Sequence, residues 1–124
     1  MEDEFRFPAH IRPDLRVLLN MEERTGDPKA KVKRSGYRVP VVLEGDGVGS
    51  TGWFRFLDGA SAGPGDEREA EVALLNPQFF AGRVGAGTKF TVSEGAVRIA
   101  RGRVVEMLDL EDNARRQKET EENG

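Results

Sequence analysis

Six bases face a single acid between Arg24 and Arg38. Arg24, Lys29, Lys31, Lys33, Arg34 and Arg38 stand against Asp27, a local charge of +5. A basic loop of this kind suits an anionic partner, and contacts to a phosphate backbone would release counterions. The same composition also describes a solvated excursion. Together with Tyr37, these six bases are the candidate surface for a partner protein or RNA. Elsewhere the spacing of reactive residues is unpromising. Gly47-x-Gly49-x-x-Gly52 has the form of a dinucleotide fingerprint. That fingerprint needs a helix N-terminus after the glycines, where free N–H groups hold phosphate. The glycines lead instead into Trp53-Phe54-Arg55-Phe56-Leu57, which has the composition of a strand, and no lysine stands after them. Neither a nucleotide nor another cofactor is expected. His10 is the sole histidine and there is no cysteine, so no typical metal site can be assembled around it. It is expected at a strand start, and no Ser/His/Asp arrangement surrounds it. Asp46, Asp58 and Asp66 fall in turn sequences, where a carboxylate bonds its own backbone. The chain is not expected to be an enzyme.

The elements that would position these residues emerge from composition and periodicity. A length of 124 residues is that of one domain. At this size about two thirds of the unfolded surface can be buried, so one core forms without metals or disulfides. The absence of cysteine fits a reducing cytoplasm. The acidic N-terminus has no apolar signal region, and no run approaches the ~20 apolar residues of a membrane span. Fifteen glycines and few aromatics suit a small β domain with many tight turns. The net charge of −3 belongs to residues 109–124, leaving 1–108 neutral. A neutral domain with one basic loop lacks the strongly basic footprint of a dedicated nucleic-acid binder.

Between Gly63 and Leu108, apolar and polar residues alternate in three runs: Ala70–Leu75, Lys89–Val92 and Val97–Leu108. A period of two is the signature of strands. Residues 12–21 supply another strand, with Leu15, Val17 and Leu19 on one face and Asp14, Arg16 and Leu18 on the other. Tyr37–Glu44 is the next, with Pro40 marking an edge or a bulge. Trp53–Leu57 is the sixth. Its aromatics are expected to split between the core and a neighbouring element, although alternating aromatics and bases can also stack single-stranded nucleic acid. A short ribbon can form near Ala30–Lys33 within the basic loop. Gly95 closes a hairpin, and Gly102 marks a bulge or a barrel corner, where a side chain would obstruct close approach. Residues 1–9 are expected to form a loose, flexible arm whose Phe5 and Phe7 alternate with Arg6 and can dock on the barrel as a short edge. Residues 10–108 are the β domain. The polar segment 109–124 has no apolar face and is expected to be disordered or a frayed helix.

With these strands in place, the chain resembles the C-terminal β-barrel domain, domain three, of translation elongation factor Tu. The matching residues are His10-Ile11-Arg12 leading to Leu15 and Val17, then Glu22-Glu23, Gly36-Tyr37-Arg38, Pro64-Gly65-Asp66 and Asn76-Pro77. The last are Lys89-Phe90-Thr91-Val92-Ser93-Glu94-Gly95, Ile99-Ala100, and Gly102 before Val104. Their order and approximate spacing hold over residues 10–108. The resemblance implies an all-β fold, a closed six-stranded antiparallel barrel. It departs from the family at Arg24–Pro28, at Val39 before Pro40, and at Ser93. The family's GTPase domain has no counterpart in these 124 residues, so no GTP cycle is expected of them alone.

The resemblance implies surfaces that meet protein partners and the backbone of a tRNA stem. The expectation is therefore a non-catalytic module that binds a protein partner, with tRNA-stem binding as the alternative. In the latter, Arg38 matches the arginine of the family's G-Y-R-P motif.

Overall fold

A computed structural model describes residues 5–23, 33–57 and 61–123. In chain order the elements are β1 (Leu15–Met21), β2 (Lys33–Arg34), β3 (Tyr37–Leu43), β4 (Gly49–Phe56), β5 (Ser61–Ala62) and β6 (Glu67–Leu74). A 3-10 turn (Pro77–Phe79), β7 (Lys89–Glu94), β8 (Val97–Met107) and helix α1 (Leu110–Asn123) complete the chain. Six strands close an antiparallel barrel in the order β1-β6-β4-β3-β7-β8, and β2 and β5 pair as a separate ribbon. Closure leaves no continuous edge to template aggregation.

The alternation read from the sequence is the alternation of burial. Leu15, Val17 and Leu19 of β1, Val39, Val41 and Leu43 of β3, and Phe54 and Phe56 of β4 point inward. Outside, Arg16 of β1 pairs with Glu69 of β6 and, at 3.0 Å, with Glu106 of β8. One side chain thus bridges both neighbours of the strand that closes the barrel. Gly102 is required by a close approach: a Cβ there would lie 2.4 Å from Cζ of Phe90, whose ring crosses the backbone of β8. The register shifts lie elsewhere, at Arg16/Val17 and Val92/Ser93.

Three expectations are corrected. β1 begins at Leu15 rather than residue 12. Asp14 therefore precedes the strand and is 1% exposed instead of facing outward. His10 lies in a turn closed by the Ile11 N–H to the Pro8 carbonyl at 2.8 Å, not at a strand start. Pro40 occupies an interior strand with no register shift, yet its position has a reason. The Leu43 N–H bonds Val48 of the β4 side and the Glu44 N–H bonds Lys89 of the β7 side. Even-numbered residues of β3 therefore face β7, and the β3–β7 ladder covers only Val41–Leu43. Pro40 turns its missing N–H toward the stretch with no β7 partner, where no ladder bond is lost.

Of the two readings of the C-terminal segment, the helical one describes Leu110–Asn123. Asp109 sits at the N-cap position, where aspartate is favoured, and its carbonyl accepts the Asn113 N–H at 2.8 Å. Glu111 and Asp112 suit the positive end of the helix dipole. Leu110 is fully buried and joins the barrel core, as does Phe80 beyond the 3-10 turn against which α1 packs. Among the described residues, no helix is long and apolar enough to cross a membrane.

Candidate functional site: the cleft between barrel and helix

The site begins with Asp14. Its Oδ2 accepts the Leu74 N–H at 2.6 Å, and its Oδ1 accepts Asn113 Nδ2 at 2.9 Å. Asn113 Nδ2 also donates to the Arg12 carbonyl at 2.8 Å. The Leu108 N–H donates to the Asp14 carbonyl at 3.0 Å. One buried carboxylate therefore ties the entry of β1 to the end of β6 and the first turn of α1. Burial pushes its pKa up from 3.8 to about 6; the Leu74 and Asn113 hydrogen bonds oppose the rise and the charge of Asp109 adds to it.

Above this tie lies a cleft of about 500 Å³ between the barrel and α1. Among the described residues Asp14 is its single acidic lining residue, and both its oxygens are already engaged. His10, Arg12, Arg38 and Arg116 are the basic lining residues, and Trp53, Leu75 and Pro77 contribute apolar surface. Arg12, Arg38 and Arg116 are exposed. Among the described residues Arg12 and Arg38 make no ion pair, and Arg116 reaches Asp112 only at 3.9 Å.

Arg38 and Trp53 face each other across β3 and β4. The Arg38 guanidinium carbon lies 4.2 Å from the centroid of the Trp53 ring, a cation–π geometry. The ring is itself fixed. Its Nε1 donates to the Gly36 carbonyl at 3.0 Å, and the rings of Phe5 and Phe7 pack against it at 5.4 and 5.5 Å. Gly36 meets two demands, a positive φ of 92° and the approach of Phe5 to within 3.0 Å of a would-be Cβ. The N-terminal arm thus docks through its phenylalanines, and β4 divides its aromatics as expected: Phe54 and Phe56 in the core, Trp53 against a neighbour.

Of the seven residues singled out from the sequence, three can be placed by their side chains: Arg34, Tyr37 and Arg38. Arg38 lines the cleft; Arg34 is exposed on β2 and does not line it; Tyr37 is half-buried against the barrel core. Lys33 lies on β2. Arg24, Lys29 and Lys31 lie outside the described residues, as does Asp58. Sequence reasoning missed Arg12, Asp14, Asn113 and Arg116 as members of one site. No local signal joins them, because Asp14 and Asn113 are 99 positions apart. The glycine-rich stretch is a hairpin connection. The Asp46 carboxylate accepts the Val48 N–H at 3.0 Å, and Gly52 lies inside β4 against Val41 and Val72. Asp66 likewise accepts the Gly63 N–H at 2.8 Å. Among the described residues, no group of three or more His, Cys, Asp or Glu side chains is placed to hold a metal ion.

No protein-family model matches the chain, and no curated protein matches it.

Proposed function

We propose that this chain is a non-catalytic binding module that docks a protein partner on the face around Arg38 and Trp53. Its barrel is read as one of the elongation factor Tu domain-three type, and its setting as the cytoplasm. The reading of type rests on the order of motifs between His10 and Val104, with which a closed six-stranded antiparallel barrel is compatible. The observation that carries the function is the exposed Arg38 with its guanidinium carbon 4.2 Å from the ring centroid of a hydrogen-bonded, packed Trp53 at a concave cleft. Arginine and tryptophan are the residue types enriched where binding energy concentrates. A guanidinium already fixed in place loses little further freedom on binding.

A second reading, binding of a tRNA stem by its backbone, is supported by Arg34 and Arg38. Both are exposed, on either side of the turn at Ser35 and Gly36, and Lys31 and Lys33 adjoin them in sequence. One experiment separates the two. Tagged protein is used to recover partners from lysate of the source organism at low and high salt, and protein and RNA are both identified. The first reading predicts one protein recovered without RNA and lost with Arg38→Ala. RNA whose recovery falls steeply with salt, and vanishes when Lys31, Lys33, Arg34 and Arg38 are neutralised, would replace it with the second. Recovery of neither at low salt would overturn both.

A further inference from the structure

We propose that the cleft between the barrel and α1 is a carboxylate-binding site, and that its occupant is an acidic segment of the partner protein carrying glutamate or aspartate beside an apolar residue. This inference rests on the protein-binding reading above. Three arginines reach the cleft from three separate parts of the chain: Arg12 before β1, Arg38 on β3 and Arg116 on α1. Their forked guanidinium groups match carboxylate geometry, and an ion pair there gains from two parallel hydrogen bonds.

Among the described residues the one acid that lines the cleft is already committed, and outside that lining Asp112 approaches Arg116 at 3.9 Å. Asp14 spends both oxygens on Leu74 and Asn113 and is 1% exposed. Arg38 is backed by a tryptophan instead of a carboxylate, so its charge is supported without being cancelled. Ile11, Leu75 and Pro77 add apolar lining, which selects an occupant that is acidic without being uniformly charged. Leu75 is 67% exposed, leaving apolar surface for a partner's side chain to cover. A volume of about 500 Å³ lies within the range of ligand clefts, ~300–1,000 Å³.

The molecule carries its own reporter. Trp53 is the sole tryptophan, and it lines the cleft. The test titrates full-length protein with a capped peptide of alternating glutamate and leucine while Trp53 emission is recorded. The glutamine-for-glutamate peptide and inorganic phosphate are titrated in parallel. The expected result is a saturable change with the glutamate peptide, weakened about tenfold by Arg12→Ala and by Arg116→Ala, and absent with the glutamine peptide. Both arginines are exposed, so these variants keep the wild-type melting curve, which is recorded alongside. An unchanged emission up to millimolar peptide, or a response that Arg12→Ala and Arg116→Ala leave intact, overturns the carboxylate site. If phosphate saturates the same signal and the glutamate peptide does not, the occupant is phosphorylated and the acidic-segment assignment falls. Lysate recovery of a protein partner with no peptide response would sink this inference and leave the binding-module reading standing. Failure of both would remove the reading beneath it.

Discussion

The barrel interior and its junction with α1 are built on opposite principles. The interior is chiefly apolar, supplied mostly by alternate residues of the six barrel strands, with Phe80 and Leu110 joining from outside them and Ser50 buried beside them on β4. Its stability comes from area removed from water and from close packing, and it is indifferent to pH. The junction is organised around one carboxylate, one carboxamide and a few backbone groups. It orders the helix that forms one wall of the cleft, and it places a titratable group where burial penalises charge. Where stability is needed the molecule uses pattern; where a concave surface is needed it brings together single residues from distant parts of the chain.

The sharpest way to break the contrast is to cut into each region and compare costs. Phe54→Ala leaves a cavity in the core and is expected to cost about 3–5 kcal/mol, measured by urea unfolding. The cost should be the same at pH 4.5 and pH 7. At the junction, pH itself is the probe. Asp14 holds its proton more tightly folded than unfolded, with a pKa of about 6 against 3.8. Below pH ~4 both states are protonated and the group costs nothing. As pH rises the unfolded carboxyl ionises first, so stability falls across pH 4–6 and levels off above, by at most about 3 kcal/mol. Asp14→Asn keeps an acceptor for the Leu74 N–H, so it should flatten this part of the profile. A wild-type profile that Asp14→Asn leaves unchanged would show that the carboxylate is not penalised there.

Smaller effects refine the picture. Asn113→Ala removes the bonds to the Arg12 carbonyl and Asp14, and is expected to cost about 1–2 kcal/mol with loss of helical circular dichroism. If helicity is retained, Leu110 and Ala114 hold α1 without the polar tie. Arg12→Ala and Arg116→Ala should change stability by less than about 0.5 kcal/mol, because each side chain is exposed. A larger loss would make these arginines part of the scaffold instead of the surface.

The same division decides what the sequence could disclose. Period-two alternation in Tyr37–Glu44, Trp53–Leu57 and Val97–Leu108 identifies the strands, because a half-buried strand must alternate. Gly102 signals close approach for the same local reason. The helix is harder to read. Leu110–Asn123 has few apolar positions, and among the described residues of the helix only Leu110 and Ala114 are buried, so periodicity carries little of its docking. Asp14 looks like an outward strand residue because the alternation around β1 extends three residues beyond the strand itself. Its burial depends on Leu108 and Asn113, which no window around residue 14 contains. Arg38 is legible as a candidate because it lies in a basic stretch. Its partner Trp53 reads from sequence only as a strand aromatic, and the pair exists because β3 and β4 are in register.

The central claim is that the cleft, and not the outer barrel wall, is where a partner lands. Amide chemical-shift mapping of labelled protein during titration with the glutamate–leucine peptide tests it most directly. The account predicts shifts at the Trp53 indole N–H, at Leu74 and Leu75, and along Asn113–Thr120, with β7 and β8 unmoved. Shifts confined to the exposed bases Lys89, Arg101 and Arg103 of the β7–β8 wall, with the cleft silent, would contradict it.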